Sequence, residues 1–116
     1  MQMKPGGQLL TRSPHRRVGL ISCPWFQKKQ IQYESLLEKS FVWIALLCPK
    51  VKAIDSQPFS LPLGGGKYYT PDYLLSCWNR EQVVVEVKPK VFVEQHRDRL
   101  VRAKSVLKEQ GYTFLI

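Results

Sequence analysis

Three short segments carry acidic and basic side chains in a pattern that suits phosphodiester chemistry. They are Tyr33-Glu34-Ser35, Tyr69-Thr70-Pro71-Asp72 and Glu86-Val87-Lys88. Carboxylate oxygens are the ligands that a hard divalent cation prefers, and a nearby lysine can stabilise the charge that develops on a phosphate during hydrolysis. The pattern therefore predicts a magnesium-dependent nuclease.

The second and third segments are separated by the length of one hairpin. Side chains alternate across a strand, so Glu86 and Lys88 are expected on one side and Val87 on the other. A hairpin that turns near Asn79 would bring Asp72 next to Glu86. We expect Asp72, Glu86 and the Val87 backbone carbonyl to hold the metal together with waters. Lys88, kept protonated by the carboxylates, would orient the attacking water or stabilise the transition state.

Glu34 is the fourth candidate, because it is expected on the first helix, where it would bind the metal or hold a water. Glu38 lies one helical turn away on the same face, and either shares that role or is simply exposed. Each candidate also has a structural alternative. Glu34 would suit a helix N-terminus and Asp72 a turn. The residues of the third segment would also suit a half-exposed strand.

Charge favours a polyanionic partner, since the net charge is +9 and the pI is about 9.7. No Asp or Glu precedes Glu34, whereas basic residues are frequent there. We predict that DNA is contacted by this basic segment and by one later lysine, that is by Arg12, Arg16, Arg17, Lys28, Lys29 and Lys67. A second basic stretch, residues 97–108, also contains an acid and is interpreted as a solvated helix face.

The 116 residues are expected to form one domain, with an irregular basic arm over residues 1–30 and a nuclease domain over residues 31–116. Trp25 and Phe26 would anchor the arm on the body. Three cysteines without a Cys-x-x-Cys pair argue against a disulfide framework or structural zinc, and they favour a reduced, cytoplasmic setting. No stretch approaches the ~18 apolar residues of a membrane helix, so no membrane association is expected.

After the arm, the expected elements are a helix, a β-meander, a second helix and a last strand, in that order. A helix over residues 33–48 would face the core with Leu36, Leu37, Phe41, Ile44, Leu47 and Cys48. Strands are expected over residues 51–57, 59–63, 67–78 and 83–88, with Gly64-Gly65-Gly66 as a turn. A second helix over 93–110 and a last strand over 112–116 complete the chain. The fold class is therefore α/β (α+β), with a central mixed sheet flanked by helices.

The ordered set of motifs resembles the PD-(D/E)xK nuclease superfamily, with Pro71-Asp72 and Glu86-Val87-Lys88 as its signature. More closely, the chain is similar to the N-terminal catalytic domain of TnsA-type endonucleases, which cut the 5′ ends of a transposon. The resembling positions are Gly19, Ser22, Tyr33-Glu34-Ser35-x-x-Glu38, Gln57-Pro58, Tyr69-Thr70-Pro71-Asp72-Tyr73 and Val85-Glu86-Val87-Lys88.

This resemblance implies a restriction-endonuclease-like core with the element order αβββαβ. It also implies Mg²⁺ or Mn²⁺ as cofactor and double-stranded DNA as substrate. The implied active site is Glu34, Asp72, Glu86 and Lys88. Implied partners are a DDE-type transposase subunit and an AAA+ regulator, and a homodimer is left open.

The family's C-terminal domain, which contacts the regulator, has no counterpart in these residues. A phage or mobile-element DNA-processing, repair or Holliday-junction nuclease is therefore an alternative. An alternative of another class is a non-catalytic DNA-binding or assembly module.

Overall fold

The computed structural model describes residues 18–116 and the backbone of residues 4–5. Its elements, in chain order, are β1 (Lys4–Pro5), β2 (Gly19–Ile21), β3 (Ile31–Tyr33), α1 (Leu36–Leu46), β4 (Val51–Ser56), β5 (Phe59–Gly64), β6 (Lys67–Tyr69), β7 (Tyr73–Cys77), β8 (Gln82–Val85), α2 (Lys90–Gln95), α3 (Arg97–Glu109) and β9 (Thr113–Leu115). No helix within this part of the chain has the length and apolarity that crossing a membrane requires.

A mixed four-stranded sheet, in the order β4-β7-β8-β9, organises the described chain. Strands β4, β7 and β8 are antiparallel neighbours, whereas β9 runs parallel to β8. A parallel pair needs a crossover connection, which α2 and α3 supply here. The expected mixed sheet with flanking helices is thus confirmed. Strands β5 and β6 form a separate hairpin, which also pairs with β1. Its turn runs through residues 64–66, three glycines with positive φ.

Two apolar cores lie on the two faces of this sheet, because successive side chains of a strand point in opposite directions. On one face, Tyr73, Leu75, Val83 and Val85 pack with α1. On the other face, Leu74 and Val84 pack with α3 and with the β5–β6 hairpin. The β-branched run of β8 is therefore covered on both sides, as its composition predicts.

Helix α1 presents a different face to the core from the one expected. Its buried residues are Glu38, Val42 and Ala45. Most of the residues predicted to face inward are exposed instead, namely Leu36, Leu37, Ile44, Leu47 and Cys48, and Phe41 is partly buried. The prediction was wrong because the helix's own apolar residues occur on all of its sides, so their spacing does not indicate which face is buried.

The same helix also begins later than expected. Ser35 is its N-cap, and the Ser35 hydroxyl oxygen accepts a hydrogen bond from the backbone N–H of Glu38 at 3.0 Å. Such a cap satisfies one of the N–H groups that the first turn leaves without a partner. Glu34 therefore precedes the cap, and the prediction that it lies on the helix was wrong.

Residues 18–30 belong to the folded body rather than to an irregular arm. Strand β2 pairs with β3, and Ile21 and Cys23 are buried in the core beneath α1. Phe26 packs against that core, but Trp25 is 80% exposed, so only one of the two predicted anchors is in place. Residues 6–17, which include Arg12, Arg16 and Arg17, lie outside the described part of the chain.

Two long elements of the sequence interpretation are interrupted in the structure. The strand expected over 67–78 is divided into β6 and β7, with Pro71 in the gap, because proline has no N–H to donate to a ladder. The helix expected over 93–110 is divided at His96 into α2 and α3. Strand β8 ends at Val85, so Glu86 and Lys88 lie just beyond the regular sheet.

Candidate active site

The predicted acidic residues meet at one end of the central sheet. Strands β7 and β8 pair with Tyr73 opposite Val85. Continuing this register by one residue sets Asp72, just before β7, opposite Glu86, just after β8. The register agrees with the predicted hairpin, and it brings both carboxylates to the same end of these two strands.

Lys88 is the cation of this group. Its Nζ lies 2.7 Å from both Oδ1 and Oδ2 of Asp72 and 3.5 Å from Oε2 of Glu38. Burial alone would lower the pKa of Lys88, but the carboxylates, foremost Asp72, raise it above its ordinary value. Lys88 therefore carries a proton and a positive charge at neutral pH.

Asp72 is held by main-chain groups as well. Its Oδ2 accepts a hydrogen bond from the N–H of Val87 at 2.8 Å, and its backbone carbonyl accepts one from the N–H of Gln57 at 2.9 Å. The side chain is 12% exposed. Asp72 thus has one orientation relative to the end of β8, and the Val87 carbonyl stays a predicted ligand.

Glu86 is 5% exposed and accepts a hydrogen bond from the hydroxyl of Tyr69 at 2.6 Å. Burial, followed by the negative charge of Asp72, raises the pKa of Glu86 to about 7. Burial and the nearby Glu86 raise the pKa of Tyr69 as well, so that phenol remains a hydrogen-bond donor. Sequence reasoning did not assign Tyr69 a role, although its place three residues before Asp72 was visible.

Glu38, not Glu34, is the helix-borne acid of the cluster. It is 6% exposed, and its Oε1 accepts hydrogen bonds from the N–H of Glu34 at 2.9 Å and from the hydroxyl of Tyr73 at 3.3 Å. Burial, followed by the charge of Asp72, raises the pKa of Glu38. The spacing Ser35-x-x-Glu38 is that of a capping box, in which the glutamate turns back toward the helix start. That signal could have identified the side chain.

Glu34 lies beside the cluster and is held by two amides. Its Oε1 accepts hydrogen bonds from Gln57 Nε2 at 3.0 Å and from Gln32 Nε2 at 3.4 Å. Gln57 has a φ of +43°, a left-handed conformation that is strained for a side-chain-bearing residue. Its buried Oε1 has no hydrogen-bond partner within the described residues. Gln57 therefore connects two residues of the region: its side chain donates to Glu34 and its backbone N–H donates to the carbonyl of Asp72.

The two glutamates give a testable contrast. If the cluster cleaves DNA, Glu38→Gln should reduce the cleavage rate roughly tenfold or more, and by a larger factor than Glu34→Gln, because only Glu38 contacts Lys88. Both variants are isosteric, so thermal denaturation serves as the folding control. The measurement is the single-turnover cleavage rate of each variant. A larger loss of rate in Glu34→Gln would show that Glu34, as the sequence predicted, is the more important acid for cleavage.

The donor set suits a hard divalent cation in type and in charge. Three carboxylates, those of Glu38, Asp72 and Glu86, surround the single ammonium of Lys88, which leaves two negative charges when all are ionised. Burying such an excess is costly without a compensating cation. Within residues 18–116, however, no group of three or more His, Cys, Asp or Glu side chains is arranged so that it could hold a metal ion. Lys88 engages both oxygens of Asp72, and it would have to share them with a metal.

The predicted DNA contacts that the structure describes fall in two places, the adjacent Lys28 and Lys29 before β3 and Lys67 at the start of β6. Lys28, Lys29 and Lys67 are all exposed. Lys29 forms a surface ion pair with Asp55 at 3.1 Å, whereas Lys67 lines a cavity near the β5–β6 turn. The cluster around Asp72 does not include any of these lysines.

Comparison of the chain with protein-family models, with curated proteins and with solved structures gives no match. The similarity to TnsA-type endonucleases thus stays a prediction from the motifs. The chain is characterised by its mixed α/β fold and by the carboxylate cluster at the end of its central sheet.

Proposed function

We propose that this protein is a metal-dependent DNA endonuclease with a restriction-endonuclease-like core, similar to the catalytic domain of TnsA-type enzymes. The observation that carries the proposal is the convergence of Asp72, Glu86 and Lys88 at one sheet end, with Glu38 buried beside them. Buried carboxylates with a raised pKa next to a lysine are typical of functional sites rather than of sheet edges that only support a fold.

The order of the elements also supports this core. A helix precedes three antiparallel strands of the central sheet, a helical crossover follows, and the last strand is parallel to β8. This agrees with the αβββαβ order that the resemblance implies. The hairpin of β5 and β6 is an addition between the first and second strands of the sheet.

The residues have distinct roles in the proposed hydrolysis. Asp72 and Glu86, with the Val87 carbonyl, would hold Mg²⁺ or Mn²⁺, which supplies charge neutralisation and an acidified water. Protonated Lys88 stabilises the negative charge that develops on the phosphate. The products would carry a 5′-phosphate and a 3′-hydroxyl.

Two neighbours position these groups. Tyr69 donates a hydrogen bond to Oε1 of Glu86, so Oε2 is the oxygen that would bind the metal. Glu38 holds the ammonium of Lys88 from the helix side, and Tyr73 in turn donates a hydrogen bond to Glu38. Preorganised side chains of this kind do not need to reorient during the reaction.

Duplex DNA is the proposed substrate, since the chain has a net charge of +9. A DDE-type transposase subunit and an AAA+ regulator are proposed partners under the transposition reading. A phage or repair nuclease would instead prefer branched or nicked DNA. Cleavage of a four-way junction compared with a linear duplex of the same sequence distinguishes the two readings, and the transposition reading predicts no preference for the junction.

The chemistry of the product ends tests the hydrolytic mechanism. Supercoiled plasmid incubated with the protein and Mg²⁺ should become nicked, and DNA ligase should reseal those nicks, because ligase requires a 5′-phosphate next to a 3′-hydroxyl. EDTA added before the protein should prevent nicking. Nicks that ligase cannot reseal would contradict this mechanism even if DNA is cut.

A catalytically silent DNA-binding module is the second candidate. It is favoured by the contact of Lys88 with both oxygens of Asp72, which leaves the cluster partly neutralised by its own lysine. A silent module would bind DNA in EDTA and would leave supercoiled plasmid uncut in Mg²⁺. An endonuclease would convert it to the nicked form.

A further inference from the structure

A cavity of about 830 Å³ lies between the β5–β6 turn and the start of α3. Four cationic side chains line it, together with two acidic ones. The cationic residues are Lys67, Arg97, Arg99 and Arg102, and the acidic residues are Glu94 and Asp98. The sequence interpretation took the arginines of this stretch for a solvated helix face, because their neighbours in the chain include an acid. In the fold they line one cavity together with Lys67 at the start of β6.

Two of these arginines are anchored by the hairpin. Arg99 Nη2 donates a hydrogen bond to the carbonyl oxygen of Tyr68 at 2.6 Å, and Arg102 Nε donates one to the carbonyl oxygen of Leu63. No carboxylate of the described residues lies within ion-pair distance of either guanidinium. Each guanidinium has five N–H donors, so most of them are available to a planar or tetrahedral anion.

The turn itself is shaped to admit one of the arginines. Gly64 has a φ of +92°, and a Cβ built on it would stand 2.8 Å from Nη2 of Arg102. A larger residue would therefore push this guanidinium away from the turn, in addition to straining the backbone. Glycine at this position keeps the arginine close to the hairpin wall of the cavity.

Tyr69 connects a residue of the cavity wall, Arg99, to the carboxylate cluster. The guanidinium of Arg99 lies 5.8 Å from the centre of the Tyr69 ring, and the hydroxyl of that ring donates to Glu86. Successive phosphates of one DNA strand are separated by ~3.4 Å along the helix axis. A strand whose phosphate reaches Glu86 would therefore pass Arg99 within a few nucleotides.

We propose that this cavity binds the phosphate backbone of DNA a few nucleotides from the phosphate that is cleaved, with Arg99 and Arg102 as its principal contacts. The inference rests on the proposed function for the identity of its ligand. Four cations against two acids give the lining a net positive charge, and guanidinium groups are suited to bidentate phosphate contacts. The cavity would thus set the direction in which the DNA leaves the active site.

The test is DNA binding by the double variant Arg99→Gln/Arg102→Gln of the full chain. Fluorescence anisotropy with a 20-base-pair duplex in EDTA measures affinity without cleavage over a series of salt concentrations. Two lost phosphate contacts should weaken binding roughly tenfold or more and decrease the slope of log K against log salt by about 2. Arg80→Gln is the control for the loss of one positive charge. Arg80 lies in the turn between β7 and β8, at the end of these strands opposite to Asp72 and Glu86.

Lys67→Gln provides a second, milder variant, since no described residue receives a hydrogen bond or ion pair from its ammonium. It should decrease the salt slope by about 1 with an unchanged melting temperature. The cavity proposal is overturned and the nuclease proposal stands if the wild type cuts plasmid, Lys67→Gln binds like Arg80→Gln, and the double variant loses no more than twice the effect of Arg80→Gln. If they lose affinity as expected but the wild type never cuts, the cavity binds DNA and the nuclease proposal fails.

Discussion

Asp72→Asn is expected to decrease the rate of plasmid nicking by roughly a thousandfold, the loss typical of removing one electrostatic contact from an active site. The substitution keeps the shape of the side chain but removes its charge. Asp72 is the partner of Lys88 through both oxygens and is one of the two carboxylates proposed to bind the metal. Losing the charge therefore weakens metal binding and releases the lysine at the same time.

The control for this variant is Asp55→Asn. Asp55 lies on β4 of the same sheet, but its only described ion pair is with the exposed Lys29, and such surface pairs contribute about 0–1 kcal/mol. Asp55→Asn should therefore nick plasmid at the wild-type rate. DNA affinity in EDTA should be similar in both variants, because neither carboxylate attracts phosphate. A cleavage rate for Asp72→Asn within about threefold of Asp55→Asn would show that the site lies elsewhere.

Glu86→Gln is expected to stabilise the metal-free protein at pH 8 by an amount on the order of 3 kcal/mol. Burial, followed by the charge of Asp72, raises the pKa of Glu86 from the ordinary 4.5 to about 7. The folded state therefore binds this proton more tightly than the unfolded state does. The free energy of unfolding must then decrease as pH increases from about 4.5 to about 7 and stay low above that range. Glutamine avoids this loss because it does not ionise, and it can still accept the hydrogen bond from Tyr69.

Urea denaturation in EDTA between pH 4 and pH 8.5 measures this effect. The difference between Glu86→Gln and wild type should be near zero at the acidic end and should reach its full size above about pH 7. Glu109→Gln, an exposed substitution on α3, is the control for the same change of side chain outside the cluster. A difference that does not depend on pH would mean that Glu86 does not carry the buried charge. The same variant should lose nicking activity, as expected where a site trades stability for function.

Some of the fold follows directly from local patterns. The run Val83-Val84-Val85 predicts a strand that is covered on both faces, and the three glycines before Lys67 predict a tight turn. The distance between Asp72 and Glu86 along the chain predicts a hairpin, and the observed register agrees with it. These signals are local, so no knowledge of distant contacts is needed.

Other features depend on packing that the sequence does not reveal. Helix α1 has apolar residues on every side, and only its contact with the sheet decides that Val42 is buried and Ile44 is exposed. The orientation of the helix that buries Val42 also directs Glu38 toward Lys88. Glu34 precedes the N-cap and is not part of the helix. The apolar periodicity of the helix does not decide between these two glutamates, whereas the capping-box spacing Ser35-x-x-Glu38 indicates the second.

The cavity near α3 shows the same limitation on a longer scale. Arg99 is 31 residues along the chain from Tyr68, and Arg102 is 39 residues from Leu63, the two hairpin residues whose carbonyl groups hold them. Mixed charge along the sequence suggested a solvated face, whereas in the fold Arg99 and Arg102 form no ion pair with a described carboxylate and line a cavity that has more cationic than acidic side chains. Long-range hydrogen bonds of this kind have no signature in local composition.

Nicking of supercoiled plasmid by the wild-type protein, with Mg²⁺ and with EDTA, tests most directly whether the carboxylate cluster is an active site. We predict nicked circles that appear only with the metal, at a rate that Asp55→Asn retains and Asp72→Asn loses. Intact supercoiled plasmid at every protein excess in Mg²⁺ and in Mn²⁺, under conditions where the protein binds the DNA, would contradict the proposed function.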